Sequence, residues 1–148
     1  MRVLTPSEEL PVLNHPSIFL AGPTPREKHV TSWRPDAIDA LERACFEGDV
    51  LAPEPFEGGF DAQVAWEFYC LEGCSVVCFW VPRDLKDMPA FTTNVEFGRY
   101  SGSGKALYGR PDRAPKTRYL DWLYSTVAGK TPFSSLEELM QEAVLMTR

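Results

Sequence analysis

The sequence predicts an α/β protein, a doubly wound sheet of about five parallel strands in one domain. Short apolar runs recur at 17–21, 50–52 and 75–81, as in strands that are buried on both faces of a parallel sheet. Each run is followed by a turn-forming segment and then by apolar residues at helical spacing. Strand and helix alternate at least four times, and right-handed crossovers between parallel strands satisfy that alternation.

Composition and charge narrow the class of protein. A chain of 148 residues is long enough for one domain with a real core. The net charge of −6 and the isoelectric point near 4.9 exclude binding to nucleic acid through a basic face, so we expect a small molecule or a protein as partner. No apolar stretch reaches membrane-spanning length, and Glu8 and Glu9 occupy the place of a signal-peptide core. We therefore expect a cytoplasmic protein without a membrane partner.

The four cysteines lie in apolar segments, without paired C-x-x-C units or nearby histidines. This pattern favours buried, reduced thiols over a metal site. The residues in question are Cys45, Cys70, Cys74 and Cys78. We expect no bound metal.

Residues 1–16 contain several prolines and show little periodicity. They are predicted to form an extended lead-in to a domain at 17–148. The run 17–21 then predicts a central strand that ends at Gly22. In open α/β sheets, ligands bind beyond the carboxyl ends of the strands, so Gly22 and Arg26 are candidates for base, sugar or phosphate contacts. The alternative is that Gly22 only turns the chain and Arg26 is solvated.

A helix is predicted after this loop, capped by Ser32, and another after the strand 50–52, capped by Asp61. The second helix carries Glu67 between two aromatic residues. A carboxylate that is partly desolvated there would have a raised pKa, which suits a group that donates or shares a proton. The alternative is an exposed glutamate between two half-buried aromatic side chains.

The segment 91–98, Phe-Thr-Thr-Asn-Val-Glu-Phe-Gly, follows the strand 75–81 and a proline-bounded loop. It predicts the start of a helix with Glu96 in its first turn. One interpretation is a nucleophile, because the helix N-terminus keeps a carboxylate ionised and directs it. The other is a capping box, in which Thr93 and Glu96 satisfy each other's backbone N–H groups.

The remaining elements follow the same alternation. The stretch 101–105, Ser-Gly-Ser-Gly-Lys, fails the test for a phosphate-binding loop because it precedes a strand and Ala106 replaces the required Ser or Thr. It predicts a helix end instead, followed by a strand at 105–108. Helices are expected at 118–124 and after Ser134, which has the spacing of an N-cap.

An ordered set of short motifs resembles the nucleoside 2-deoxyribosyltransferase-like family, over about residues 17–121. The motifs are Ile-Phe-Leu-Ala-Gly-Pro at 18–23, Trp-Glu at 66–67, Phe-Trp-Val-Pro-Arg at 79–83, Thr-Thr-Asn-Val-Glu-Phe-Gly at 92–98, Gly-Lys at 104–105 and Tyr-Gly at 108–109. The resemblance implies a flavodoxin-like fold and cleavage of the N-glycosidic bond of a nucleoside or nucleotide without a cofactor. It also implies a homodimer or higher homo-oligomer in which a neighbouring subunit completes the pocket.

The resemblance also assigns roles to individual residues. Glu96 matches the family's catalytic glutamate, and Glu67 falls where relatives have an aspartate that hydrogen-bonds the base or assists its departure. Gly22 and Pro23 match the loop that lines the pocket. Two positions depart from the pattern: residue 67 is Glu instead of Asp, and Ala90 stands where the transferases tend to have a second base-binding acid.

The implied chemistry is attack of Glu96 on the anomeric carbon, which gives a covalent glycosyl-enzyme that water or a second base resolves. In this scheme Glu96 stays ionised and Glu67 shares a proton with the leaving base. The helix start with Thr92, Thr93 and Asn94 is the expected site for a sugar hydroxyl or a 5′-phosphate.

Two other functions remain open at this stage. One is a non-catalytic nucleotide-binding module, motivated by Ala90 and by the altered acid at 67. The other is a flavin-binding protein of the same fold class. Pro23 and Pro25 argue against the flavin protein, because they stand where such a protein has a Ser/Thr/Gly-rich phosphate loop.

Overall fold

The computed structural model describes residues 1–7, 9–13, 16–54 and 58–148. The strands are β1 (Arg2–Leu4), β2 (Ser17–Ala21), β3 (Asp49–Leu51), β4 (Val76–Trp80) and β5 (Ala106–Gly109). The helices are α1 (Arg34–Arg43), α2 (Phe60–Gly73), α3 (Phe91–Tyr100), α4 (Arg118–Ala128) and α5 (Leu136–Met146). Glu8 and His15 lie outside the described residues.

The strands form one parallel sheet in the order β1-β3-β2-β4-β5. This confirms the predicted doubly wound sheet of five parallel strands, and the architecture is consistent with a flavodoxin-like fold. The chain runs from β2 outward to β3 and then crosses back to β4 on the other side of β2. The β2–β4 pair is therefore the topological switch point, where open α/β sheets form a crevice.

The edge strand β1 comes from the segment that the sequence predicts as a lead-in. Val3 pairs with Val50, and the Arg2 guanidinium donates to both carboxylate oxygens of Asp49, at 2.9 and 2.8 Å. A three-residue strand has too little periodicity to be recognised, because its pairing depends on the open edge of β3. The boundary between a lead-in and a domain at residue 17 stays a prediction.

The core has two layers, because successive residues of each central strand face opposite sides of the sheet. Ile18 and Leu20 pack with α1 and α5, whereas Phe19 and Ala21 pack with α2, α3 and α4. Every residue of β2 and β4 is buried. At about 1.5–3 kcal/mol for each large apolar side chain that is buried, these layers hold the helices to the sheet.

The starts of α1, α2 and α5 differ from the predicted ones by one or two residues, which is typical of helix boundaries. Helix α2 begins at Phe60 after Gly59, so Asp61 lies inside its first turn instead of capping it. Helix α5 is capped by Ser135, whose hydroxyl accepts from the Glu138 N–H at 3.3 Å, and not by Ser134. No helix within the described ranges is long and apolar enough to cross a membrane.

Candidate functional site

A cavity of about 370 Å³ opens beyond the carboxyl ends of β2, β3 and β4. Its position at the switch point and its size are those of small-molecule sites in open α/β folds. The lining comes from the loop after β2, the start of α1, and one face each of α2 and α3. The charged residues that line it are Arg26, Arg34, Glu67 and Glu96.

The two glutamates reach the cavity because each follows or precedes an aromatic residue that anchors its helix. Trp66 is fully buried and packs 6.2 Å from the Phe19 ring, and Glu67 comes directly after it on α2. Phe97 is fully buried and packs edge-on against Phe79 at 5.2 Å, and Glu96 precedes it on α3. The aromatic side chains enter the core, and the neighbouring carboxylates face the cavity.

Helix α3 begins earlier than the sequence predicts. Its N-cap is Ala90, with left-handed backbone angles (φ 61°, ψ 40°), and no side chain caps it. The capping box of Thr93 and Glu96 is therefore wrong: Thr93 lies within the helix, and Glu96 lies in its second turn instead of its first. Within the described residues the Glu96 carboxylate makes no hydrogen bond, and it faces the cavity. Left-handed angles are uncommon outside glycine, so residue 90 gives no sequence signal for a helix start.

The charge of Glu67 affects the ionisation of Glu96. Burial and, to a smaller extent, this nearby charge raise the pKa of Glu96 from 4.5 to about 7, and Arg34 opposes both effects. Burial also raises the pKa of Glu67, against a hydrogen bond from the Gln63 amide (2.9 Å) and the charge of Arg34. The sequence suggested that the N-terminus of α3 keeps Glu96 ionised. This interpretation is wrong, because the free N–H groups of the helix lie a turn away from Glu96.

Arg34, whose guanidinium is buried, is a charged cavity residue that the sequence analysis did not single out. Only 2% of Arg34 is exposed. Its nitrogens donate to Leu20 O (Nε, 3.1 Å), Thr24 Oγ1 (Nη1, 3.0 Å) and Gly22 O (Nη2, 2.7 Å), and Nη1 lies 3.1 Å from Glu54 Oε1. These contacts tie the start of α1 to the loop after β2.

A sequence signal for Arg34 does exist. Arg34, Ala37 and Leu41 share one face of α1 at spacings of three and four residues, and all three are buried. An arginine on an otherwise apolar stripe indicates a charge that the fold buries at a cost. This spacing marks Arg34 as a candidate site residue.

The loop after β2 forms one wall of the cavity. Pro23 is buried, lines the cavity and accepts a hydrogen bond from Trp33 Nε1 at 3.0 Å through its carbonyl oxygen. Gly22 also lines the cavity, with φ of 154°, and its carbonyl accepts from Arg34. Gly22 therefore both turns the chain and positions a charged group.

Gly22→Ala is expected to destabilise the fold by about 2 kcal/mol. A Cβ at this position would overlap the carbonyl oxygen of Trp80 and lie 2.7 Å from Cζ2 of Trp33. Urea unfolding measures the effect. The matched control is Gly98→Ala in α3, where a Cβ meets nothing within 4 Å and helix propensity predicts a gain of up to about 1 kcal/mol. A Gly22 variant as stable as the parent would contradict the close packing of this loop.

Arg26, Thr92 and Thr93 also line the cavity, and their role in substrate binding stays a prediction. Arg26 is exposed at its edge, with the guanidinium carbon 5.8 Å from the centre of the Phe91 ring. Thr93 is 3% exposed, and its hydroxyl makes no hydrogen bond in the parts of the chain that the structure describes. These residues come together around the start of α3, where the backbone N–H groups of 91–93 have no partner within the helix.

Asn94 is the predicted site residue that the structure does not bring to the cavity. Its side-chain oxygen accepts a hydrogen bond from Arg83, which also donates to Lys116 O at 2.6 Å. Residues two apart on a helix point to opposite sides, so Asn94 and Glu96 cannot both face one cavity. A role for Asn94 in substrate binding therefore has no geometric support.

The described residues contain no group of three or more His, Cys, Asp or Glu side chains that could hold a metal ion. Cys70, Cys74 and Cys78 are buried free thiols, as predicted, whereas Cys45 is exposed. Cys45 follows the end of α1 with φ of 55°, and this turn directs it away from the core. Burial raises the pKa of Cys74 to about 11, so that thiol is unreactive at neutral pH.

Comparison with known proteins identifies the family. The sequence profile described as nucleoside 2-deoxyribosyltransferase like matches residues 15–113, a span that includes β2, β4, both cavity glutamates and the loop after β2. No curated protein matches the chain. The matched span covers more than half of the sequence and all the charged residues of the cavity. The chain therefore belongs to the nucleoside 2-deoxyribosyltransferase-like family.

Proposed function

We propose that this protein cleaves the N-glycosidic bond of a nucleoside or a nucleoside 5′-monophosphate, as a hydrolase or a base-exchanging transferase. The observation that carries the proposal is the pair of carboxylates, Glu67 and Glu96, that two helices present to one cavity at the switch point. Family membership supports it, because the family's name describes deoxyribosyl transfer. One acidic group that attacks and one that supplies a proton are the two groups that retaining glycosidic cleavage requires.

The two carboxylates divide the chemistry between them. Ionised Glu96 attacks the anomeric carbon as the C–N bond breaks, through an oxocarbenium-like transition state, and protonated Glu67 donates its proton to the leaving base. The product is an ester between Glu96 and the sugar. Water or a second base then attacks the anomeric carbon, Glu67 takes up the released proton, and the ester bond breaks to regenerate the Glu96 carboxylate. The two displacements give net retention.

The start of α3 is the proposed contact for the sugar or a 5′-phosphate. Thr92 and Thr93 line the cavity beside backbone N–H groups that no helical carbonyl accepts. The Thr93 hydroxyl is without a hydrogen bond among the described residues, and Arg26 places a positive charge at the edge. Donors of this kind suit a hydroxyl or an anionic oxygen.

The rate of base release is expected to fall as pH rises through about 7. The reactive form of the pair holds one proton, and the pKa of Glu96 beside charged Glu67 is about 7, so the pair loses this proton there and the alkaline limb of kcat/KM has its midpoint near 7. Glu67→Gln removes the neighbouring negative charge, which lowers the pKa of Glu96, and the variant is expected to show an acidic limb at lower pH in place of the alkaline limb. The maximal rate of that variant falls about 10²- to 10⁴-fold, because the proton donor is lost. Identical midpoints in both proteins would contradict the coupling of the two carboxylates.

The proposed activity is tested by incubating the protein with ribo- and deoxyribonucleosides and their 5′-monophosphates, followed by chromatography of the products. Release of a free base from at least one of them is expected. Adding a second base separates the two reactions: a new nucleoside indicates a transferase, and free sugar without exchange indicates a hydrolase. No base release from any compound after long incubation at micromolar protein would contradict the proposal.

A nucleotide-binding module without catalysis is the second candidate function. The observation in its favour is Ala90, an apolar residue that lines the cavity where the transferases tend to have a base-binding acid. Calorimetry distinguishes the two functions. Tight nucleotide binding with no base released over the same incubation would favour the binding module.

We further propose that the protein is a homo-oligomer whose contact surface surrounds the cavity mouth. Exposed apolar side chains follow one another along α2 and α3: Phe60 is 78% exposed, Phe91 70% and Val95 75%, with Val64 and Phe68 beside them. An apolar surface of this kind marks a contact site, and the family resemblance implies a second copy as its partner. Sedimentation of a monomer at tens of micromolar protein would contradict this assembly.

We also propose that the protein acts in the cytoplasm. The four cysteines are all free thiols, which suits a reducing compartment. Fractionation of cells that produce the protein, followed by detection with an antibody, tests this location. Recovery outside the cytoplasmic fraction would contradict it.

A further inference from the structure

We propose that Arg34 is a positioning residue for the Glu67–Glu96 pair, through which it acts on the reaction. Its buried guanidinium fixes the cavity wall at 20–24 and supplies the positive charge that allows one of two neighbouring carboxylates to ionise. The inference rests on the proposed function in one respect: the attack requires ionised Glu96. Arg34 itself need not touch the substrate.

The geometry holds Arg34 in one place. Three separate nitrogens donate to acceptors on the chain between Leu20 and Thr24, and the fourth contact is the ion pair with Glu54. Because guanidinium is planar and its donors are fixed in a fork, these contacts determine both its position and its orientation. A lysine ammonium, which is a point charge on a flexible stem, cannot satisfy all four acceptors.

The charges around the carboxylates explain why a cation is needed. The groups that line the cavity with Glu96 are Glu67 from α2, Arg34 from α1 and Arg26 from the loop after β2. Glu54, which follows β3, pairs with Arg34 and also accepts a hydrogen bond from Ser32. Without Arg34, three carboxylates would remain in this region, and among the described residues that line the cavity the exposed Arg26 would be the one positive charge left to balance them.

Burial and mutual repulsion both disfavour the ionised forms of neighbouring carboxylates. Arg34 acts in the opposite direction on each of them: it lowers the pKa of Glu96 and of Glu67 against the larger effect of burial. Burial lowers the pKa of Arg34 itself, and Glu54 opposes that change. Arg34 therefore connects the loop, Glu54 and the carboxylate pair.

A purely structural role explains Arg34 less well. Burying an ion pair is costly, and well-packed apolar residues of similar volume are often as stabilising or more so. A site that needs a fixed positive charge near two acids gives a reason to bury one. The structural and electrostatic roles predict different results when the charge of Glu96 is titrated.

The test is a ¹³C NMR titration of the Glu96 carboxyl group in the full-length protein without substrate. In Arg34→Gln, the midpoint of Glu96 is expected to rise by at least about half a pH unit. In Glu54→Gln, it is expected to fall, because Glu54 no longer offsets Arg34. Glu42→Gln, on the exposed side of α1, is the control and leaves the midpoint unchanged.

The double variant Arg34→Gln/Glu54→Gln decides the matter if Arg34→Gln alone does not fold, because it also removes the carboxylate charge that pairs with Arg34. Its Glu96 midpoint is expected to be higher than that of Glu54→Gln. Equal midpoints in these two variants would overturn the inference. The alkaline limb of base release is expected to move with the titration. If the midpoints move as expected but no variant or parent releases base, the proposed function fails and the electrostatic role of Arg34 stands.

Discussion

Glu96→Gln is expected to reduce base release at least about 10³-fold, with the fold intact. The amide has the shape of the carboxylate but cannot form the glycosyl ester, so the first displacement has no nucleophile. Solvent water and the remaining cavity groups account for any residual rate. The measurement is single-turnover release of free base near pH 7, where the parent's carboxylate pair still holds a proton.

The control for this variant is Glu42→Gln, which removes one exposed carboxylate from α1 and leaves the rate unchanged. Circular dichroism and the unfolding transition establish that both variants are folded. Glu96→Ala is expected to be as inactive as Glu96→Gln. A rate within threefold of the parent in either Glu96 variant would remove Glu96 from the mechanism.

The same Glu96→Gln substitution is expected to stabilise the protein at high pH. Glu96 has a pKa of about 7 in the folded chain against 4.5 as the ordinary value of a glutamate, so in the unfolded state it loses its proton at lower pH. Between these two values the folded protein binds more protons than the unfolded chain, and its stability falls as pH rises. The difference between 4.5 and about 7 corresponds to about 3 kcal/mol, which the glutamine variant does not lose.

Urea unfolding between pH 5.5 and 8.5 measures this effect. The stability advantage of Glu96→Gln is expected to grow as pH rises toward 7 and to level off above it. Glu42→Gln, measured in parallel, is expected to show the parent's pH dependence. If Glu96→Gln and the parent lose stability with the same pH slope, the Glu96 carboxyl is not held in its neutral form by the fold.

The two predictions about Glu96 describe one physical situation. A carboxylate that faces a partly buried cavity costs the folded protein free energy at neutral pH, and the same placement makes it available to a substrate. Loss of activity with a gain of stability is the expected signature of a functional group. A residue that served only as a cap would show the reverse, because a cap stabilises its helix.

Local patterns in the sequence determined much of this protein. The apolar runs at β2 and β4 predicted the central strands because a buried parallel strand needs no polar face. The aromatic residues on either side of Glu67 indicated a helix that carries a partly desolvated carboxylate. Gly22 marked the end of β2 because its backbone angles and close contacts admit no side chain.

Tertiary structure alone decided the rest, because those features depend on residues far apart in the chain. Residues 2–4 form the strand β1 only because β3 offers an open edge. Ala90 caps α3 in a left-handed conformation, which an alanine in the sequence does not predict. The helical spacing of Arg34 indicates only a buried charge, whereas its contacts with the loop after β2 and with Glu54 are created by folding. The raised pKa of Glu96 likewise arises from burial and a charge on another helix. Sequence patterns report the conformation and burial of a segment, whereas electrostatics depends on distances that folding creates.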